Sequence, residues 1–297
     1  IWRGIWDKTD SMRESERSRL ISPATQQAVE SSVAEIEEAT FGRGKFFDIK
    51  DDLQDPNPRD IGFLRNQLEE DMHFSKVRTS MAECLINAAV FGTGIAELVL
   101  EETTEFVPGT EPSPDMGMKA FGVYEKKRFL VKLDPIMPQN FLIDPLATNI
   151  EDALGVAIDK MVPYHQVKQG IDSGIYLDVD VDTVQYDTDL EDASKITQVY
   201  EDDMVRLTKY YGLVPTELLS KVDEDGEVED IIPVDKDDSY TEVILVIANG
   251  NTLLKAEANP YMKKDRPVVA FSWDITPFKF WGRGVCEKAY NSQKALD

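Results

Sequence analysis

The apolar residues of this chain follow two periods, one helical near its start and one strand-like through its middle. Val29, Val33 and Ile36 recur at three and four residues behind Ser22-Pro23, an N-cap serine followed by a proline at the first helical position. They predict a helix over 22–41 that stops at Gly42, with Gln26, Glu30 and Glu37 turned away from the apolar stripe. Asn57-Pro58 repeats the start signal, and Ile61, Leu64, Leu68, Val77, Met81, Cys84, Leu85 and Ala88 carry the same spacing to Phe91. One helix over 58–91 is therefore expected, about 33 residues and near 50 Å long. A strut of that length is unusual in a compact monomer.

Phe91-Gly92-Thr93-Gly94 ends the helical pattern, and Ile95 to Leu100 alternates as a strand does. A phosphate cradle needs a strand before its glycines and a helix after them; here the order is reversed, so these glycines read as a C-cap and turn. Residues 103–118 are rich in Pro and Gly and predict a loop, followed by strands around 119–124 and 127–133. Phe141-Leu142-Ile143 reads as a short buried run that Asp144-Pro145 stops with an Asx-type turn. A short helix is expected over 163–171, and 172–203 is acidic and weakly patterned. Strands resume at Val205, and the runs 241–249 and 251–258 read as a hairpin turning at Gly250.

The last forty residues join several signals. Val268-Val269-Ala270-Phe271 is β-branched and aromatic and predicts a strand, with Trp273 continuing the face of Val269 and Phe271. Asp274 to Pro277 turns the chain. Phe278, Phe280 and Trp281 then place three large rings before Gly282-Arg283-Gly284, and helix formers return from Val285, with Glu287 in the first turn.

In this arrangement the segment resembles the portal, or head-to-tail connector, family of tailed bacteriophages, above all the short-tailed ones. In that family a strand, a W/F-G-x-G corner and a helix of the A-Y-x-x-Q-x-x-x-D kind mark the passage from the wing domain into the first stem helix. Ala289, Tyr290, Gln293 and Asp297 fit the pattern, and the phrases at 88–102, 138–153 and 259–269 agree in order. The resemblance implies an α+β fold, a portal-type wing domain of long helices packed with small antiparallel sheets. Residues 1–280 would form the wing, with its acidic segment at 172–238, and residues 281–297 the corner and the start of the stem helix. It further implies a ring, commonly of twelve subunits, at one capsid vertex of the virion, assembled in the host cytoplasm. Such a ring would meet the major capsid and scaffolding proteins, dock the terminase and later the tail adaptor, and pass DNA without reading its sequence. Trp281, Gly282, Arg283, Gly284, Glu287 and Tyr290 become the expected corner or subunit contacts. No catalytic residue, cofactor or metal is implied. Ile1 in place of Met, and Asp297 inside a helical pattern, lead us to expect a piece of a longer protein.

Charge sharpens this picture. Net charge is −24, and residues 172–238 hold 21 Asp/Glu against 5 Lys/Arg, a net of −16. A surface of this kind releases no counterions from DNA, so tight nucleic-acid binding is not expected. It reads either as a solvated acidic face or as a channel surface along which DNA slides without sticking. No apolar run is long enough to span a membrane, and the first residues lack the apolar core of a signal peptide.

Candidate chemistry is sparse. Cys84 and Cys286 read as reduced, buried thiols. His73 lies eleven residues before Cys84, roughly 16 Å along a helix, too far to act as its base. Asp223-Glu224-Asp225-Gly226 fails as a calcium loop because Lys221 and Ile232 occupy its two essential ends, and it reads instead as an exposed hairpin tip. The carboxylates from Asp178 to Asp192 support the competing reading, a metal-dependent hydrolase or transferase. If they lie on a strand, alternation puts Asp178, Asp180 and Asp182 on one side, where they repel unless solvated or metal-bound. A third reading, an acidic adaptor or DNA mimic, leaves the phrase at 259–297 unexplained.

Overall fold

The two periodicities become separate layers of helix and antiparallel sheet in a computed structural model, which describes residues 23–42, 47–49, 61–112, 119–183, 204–222, 228–230 and 239–296. In chain order the helices are α1 (Ala24–Phe41), α2 (Ile61–Phe74), α3 (Val77–Phe91), α4 (Tyr164–Asp172) and α5 (Val285–Leu296). The strands are β1 (Thr93–Pro112), β2 (Lys119–Ile136), β3 (Phe141–Ile143), β4 (Gly155–Pro163), β5 (Met204–Pro215), β6 (Ser220–Val222), β7 (Val228–Asp230), β8 (Tyr240–Ala248), β9 (Thr252–Ala258) and β10 (Val268–Ser272). The class is α+β, and the chain divides into two units. One holds residues 1–135, 267–275 and 281–297; the other holds 136–266 and 276–280.

In the first unit β10, β1 and β2 form a three-stranded sheet in that order. β10 runs antiparallel to β1, from Thr93 opposite Ser272 to Glu97 opposite Val268. Val29 and Val33 of α1 meet Ala89 of α3, and Leu85, Val90, Trp273, Val285 and Cys286 close around them. α1 starts at Ala24 with Pro23 at its N-cap position; the expected cap, Ser22, lies outside the described residues.

Three expectations need correction in this unit. The single helix over 58–91 is broken: α2 ends at Phe74, and α3 begins after Lys76, whose φ of 53° is left-handed. The reason lies in the phase of the apolar stripe. From Leu68 to Val77 is nine residues, about two and a half helical turns, so a straight helix would point the two halves of the stripe in opposite directions. The segment 103–112 is strand, not loop, and the two strands expected within 119–133 are one. Thr103, Thr104, Phe106 and Val107 suit a pleated surface, and pairing with β2 captures them despite the neighbouring Pro and Gly. Lys127 and Glu102 clasp the hairpin at 2.6 Å, and Lys132 pairs with Glu101.

The second unit is a five-stranded antiparallel sheet in the order β3-β4-β5-β8-β9. α4 closes one face over Val167, Val205, Leu207, Val246, Ala248 and Leu254. The hairpin expected at Gly250 is present: Asn249 and Gly250 take φ of 52° and 78°, both positive as a two-residue type I′ turn requires, and Asn251 N–H donates to Ala248 O at 3.1 Å. The Asx turn is also present, with Leu146 N–H donating to Asp144 Oδ1 at 3.0 Å. The 141–143 run is only partly buried. Phe141 is inside, stacked on Phe280 with ring centroids 5.8 Å apart, while Leu142 faces out. β6 pairs with β7, but the expected tip at 223–226 lies outside the described residues.

Arg266 fixes this unit in a way the sequence did not announce. Its side chain is 8% exposed and that of its partner Glu242 is 7% exposed, with Nε donating to Glu242 Oε1 at 2.7 Å. The remaining nitrogens donate to the carbonyls of Ile150 (2.6 Å), Ala153 (2.8 Å) and Leu154 (3.2 Å), which pins the loop before β4 to β8. Every carbonyl it reaches would otherwise need water or another donor. Removing Arg266 leaves Glu242 buried without its cation, so Arg266→Ala should cost about 3–5 kcal/mol. Arg206→Ala, which removes a half-exposed cation and leaves the partly buried Asp159 still bonded by Thr208 Oγ1, should cost about 1 kcal/mol. Urea unfolding of the two variants against the parent protein checks the contrast.

Candidate functional site

The residues expected at the corner belong to a knot of backbone in the first unit. α3 stops because Gly92 takes φ 98°, ψ −18°, a left-handed cap whose N–H donates to Ala88 O at 2.8 Å. The carbonyl of the same glycine accepts Trp273 N–H at 2.9 Å, tying the end of β10 to the end of α3. Gly282 N–H donates to Thr93 Oγ1 at 2.9 Å, and Arg283 N–H donates to Asp274 O at 2.9 Å. Thr93 is fully buried, so its hydroxyl meets an internal partner.

Only glycine fits the contact. A Cβ on Gly92 would lie 2.3 Å from Gly282 O, one on Gly282 would lie 2.5 Å from Gly92 O, and one on Gly284 would lie 2.6 Å from Val90 O. These are backbone atoms and cannot swing aside. Gly94 is closed from the other side by the Phe271 ring, 2.6 Å from where its Cβ would stand. Gly92 thus interlocks, main chain against main chain, with Gly282 and Gly284 almost two hundred residues away in sequence.

α5 leaves this knot already fastened. Val285 and Cys286 join the core of α1 and α3, and Gln293, 2% exposed, accepts a hydrogen bond from Thr25 Oγ1 at 3.1 Å. Lys288 reaches back to Asp274. The hydrogen bond and charge of Lys288, helped by the charge of Arg283, hold the Asp274 carboxyl below its ordinary range. Arg283 Nε and Glu287 Oε1 pair at 3.1 Å on the exposed side of the first turn.

The six expected residues therefore divide. Gly282 and Gly284 are in the knot. Arg283 contributes its backbone to the knot and its side chain to Glu287. Trp281, Glu287 and Tyr290 stand at the surface, each at least partly exposed. Sequence reading did not name Gly92, Thr93 or Thr25 as members. The signal for Gly92 was present as a C-cap, but its partner could not be read from local pattern.

Burial, helped by the charges of Glu83 and Asp134, pushes the Cys84 thiol up to about 11, and its Sγ lies 3.7 Å from Ile95 O. Burial also raises Cys286. Thiolate character, which nucleophilic attack requires, is suppressed at both. His73 sits edge-on to Phe74. Asp178, Asp180 and Asp182 are exposed and lie on no strand, so the alternation that would gather them is absent; Asp187, Asp189, Glu191 and Asp192 lie outside the described residues. Among the described residues, no three His, Cys, Asp or Glu side chains come together as a metal site. No helix among them is long and apolar enough to cross a membrane.

A scan against protein-family models finds no match, and a search of curated proteins finds none either.

Substitution separates the two demands on these glycines. Gly250→Ala places its Cβ in open space at positive φ and should cost about 1–2 kcal/mol, the left-handed penalty alone. Gly92→Ala adds collision with fixed backbone and should cost more than about 3 kcal/mol. Gly282→Ala tests the collision without positive φ and should fall between them or near Gly92→Ala. Chemical denaturation of the three variants gives the order.

Proposed function

We propose that this chain is a subunit of a phage portal, contributing the wing domain and the start of the first stem helix. The observation that carries the reading is the corner. A strand, an aromatic turn, a Gly-x-Gly break and a helix follow one another from Val268 to Leu296, in the order that marks the wing-to-stem passage in that family. The clamp of Gly282 and Gly284 against Gly92 and Val90 supports it physically. A subunit that must hold a stem helix at one angle in every copy of a ring needs a junction with no freedom, and backbone packed on backbone supplies one.

In this reading the chain is a structural protein and not an enzyme, and it uses no cofactor. Its partners are further copies of itself, the capsid and scaffolding proteins, the terminase and the tail adaptor, at the capsid vertex. Its net charge of −24 suits a channel through which DNA slides, because like charge offers the phosphates no site to rest on. The broken strut α2–α3 fits the same role less directly, since the break gives the two apolar stripes different directions to face.

The test is negative-stain imaging and native mass of the full-length protein. Rings with a central hole are expected. A compact monomer or dimer at every concentration would contradict the portal reading and would return attention to divalent-metal titration of the 178–192 carboxylates.

A further inference from the structure

The bend between α2 and α3 is made by residues that do not favour one. No Gly or Pro lies between Phe63 and Phe91, yet Lys76 takes φ 53°, ψ 35°, a left-handed conformation that disfavours a residue with a Cβ about ten-fold. Ser75 is 6% exposed, and its hydroxyl is buried without a hydrogen-bond partner among the described residues. Such a group keeps the whole cost of leaving water. Lys76 N–H donates to His73 O at 3.1 Å, three residues back, where an α-helix would use the carbonyl four back. No bond from the Lys76 side chain caps α3. Strain and an orphan polar group at one point mark a position that serves more than packing.

The bend gains little in return. None of the fourteen residues of α2 is buried. Arg128 of β2 ties it to the sheet: Nε donates to Asp71 Oδ1 at 3.2 Å, and the guanidinium carbon lies 4.5 Å from the Phe74 ring centroid. Arg65 bonds Asp48 and Ile49 O, which belong to no strand or helix. A continuous helix would remove the left-handed residue and restore the four-residue bonds. It would also offer Ser75 the carbonyl four residues back, the bond that Ser32 makes in α1 by donating to Ala28 O at 2.8 Å.

We infer that α2 and α3 form a two-state hinge: Arg128, on Asp71 and Phe74, holds the bent form, and when that clasp opens Ser75 and Lys76 turn right-handed and residues 61–91 become one helix. The penalties at Ser75 and Lys76, roughly ten-fold each, match the size of a clasp made of one charge-assisted pair and one cation–π contact. Neither form lies far below the other, so a change at Arg128 alone decides between them. The straight form runs about 46 Å. It aims Leu64 and Leu68 to the side of the helix opposite Cys84 and Ala88, because the apolar stripe slips by half a turn between Leu68 and Val77. The hinge thus redirects the apolar residues of α2 without moving α3. Such a device works in a monomer and in a ring alike.

The test measures one distance in the full-length protein. Spin labels at Asn66→Cys and Glu83→Cys, both exposed positions, are read by pulsed dipolar spectroscopy, with the unsubstituted protein as control for Cys84 and Cys286. Along a continuous helix these backbones stand about 26 Å apart, and the bend brings them closer. The parent should show mostly the shorter distance. Arg128→Gln should raise the longer one about ten-fold relative to it, and Asp71→Asn, which opens the clasp from the side of α2, should move it the same way. Adding Lys76→Gly to Arg128→Gln should reverse most of that rise, since Gly is free of the left-handed penalty and is a poor helix-interior residue. A distance that stays short in both clasp variants overturns the inference. So does a broad distribution with lost helix signal in circular dichroism, which means that α2 unfolds on release. If Arg128→Gln melts the whole unit, Asp71→Asn, at a partly exposed residue, decides. Ser75→Ala removes the orphan hydroxyl and should raise the urea midpoint of the bent parent; a midpoint lowered as by an ordinary core truncation overturns the inference as well.

Discussion

The contact between Gly92 and Gly282 organises the first unit, because each carbonyl stands where the other residue's side chain would be. Three elements end or begin within three residues of it: α3 stops at Phe91, β1 starts at Thr93, and α5 starts at Val285. The hydrogen bonds from Trp273 N–H to Gly92 O and from Gly282 N–H to Thr93 Oγ1 use up polar groups that the helix end and turn would otherwise leave bare. A larger residue at either glycine would separate β10 from β1 and α5 from α3 together. The core of Val29, Val33 and Ala89 with Val285 and Cys286 is therefore a consequence of the knot as much as a cause of it.

The second unit solves the same problem, holding a loop against a sheet, with charge in place of close approach. Arg266 spends its donors on Glu242 and three carbonyls, and the loop 144–154 is fixed by a side chain instead of by main-chain contact. Such a buried pair is costly to desolvate and strongly destabilising to break. Its geometry suits Arg and no other residue, since Lys offers no planar fork.

Much of the fold was legible because it is local. The 3.6-residue spacing found α1 and the residues of α3, the return of helix formers after Gly284 found α5, alternation found β1, β-branched and aromatic content found β10, and Gly250 marked the turn between β8 and β9. The sequence also held the evidence against one long helix, in the half-turn phase slip between Leu68 and Val77, but a count of apolar spacings passes over it. The strand through 103–112 was hidden because Pro108, Gly109 and Pro112 argue for a loop and pairing with β2 overrides them. At the site, Gly282, Arg283 and Gly284 were singled out by their setting among aromatic residues. Gly92 was read correctly as a cap, but nothing in one sequence says that it will touch glycines so far along the chain. Arg266 and Glu242 look like any surface charges until the fold buries them.

If the knot is the constraint on which the first unit depends, its amides open only when that unit unfolds. Native-state hydrogen exchange at Trp273, Gly282 and Arg283 measures this directly. The account predicts that these amides exchange as slowly as that of Phe271, which faces β1 in the β10 ladder, with the same steep dependence on denaturant. Exchange by local opening, as fast as at Asn251 beside the Gly250 turn and insensitive to denaturant, would contradict it.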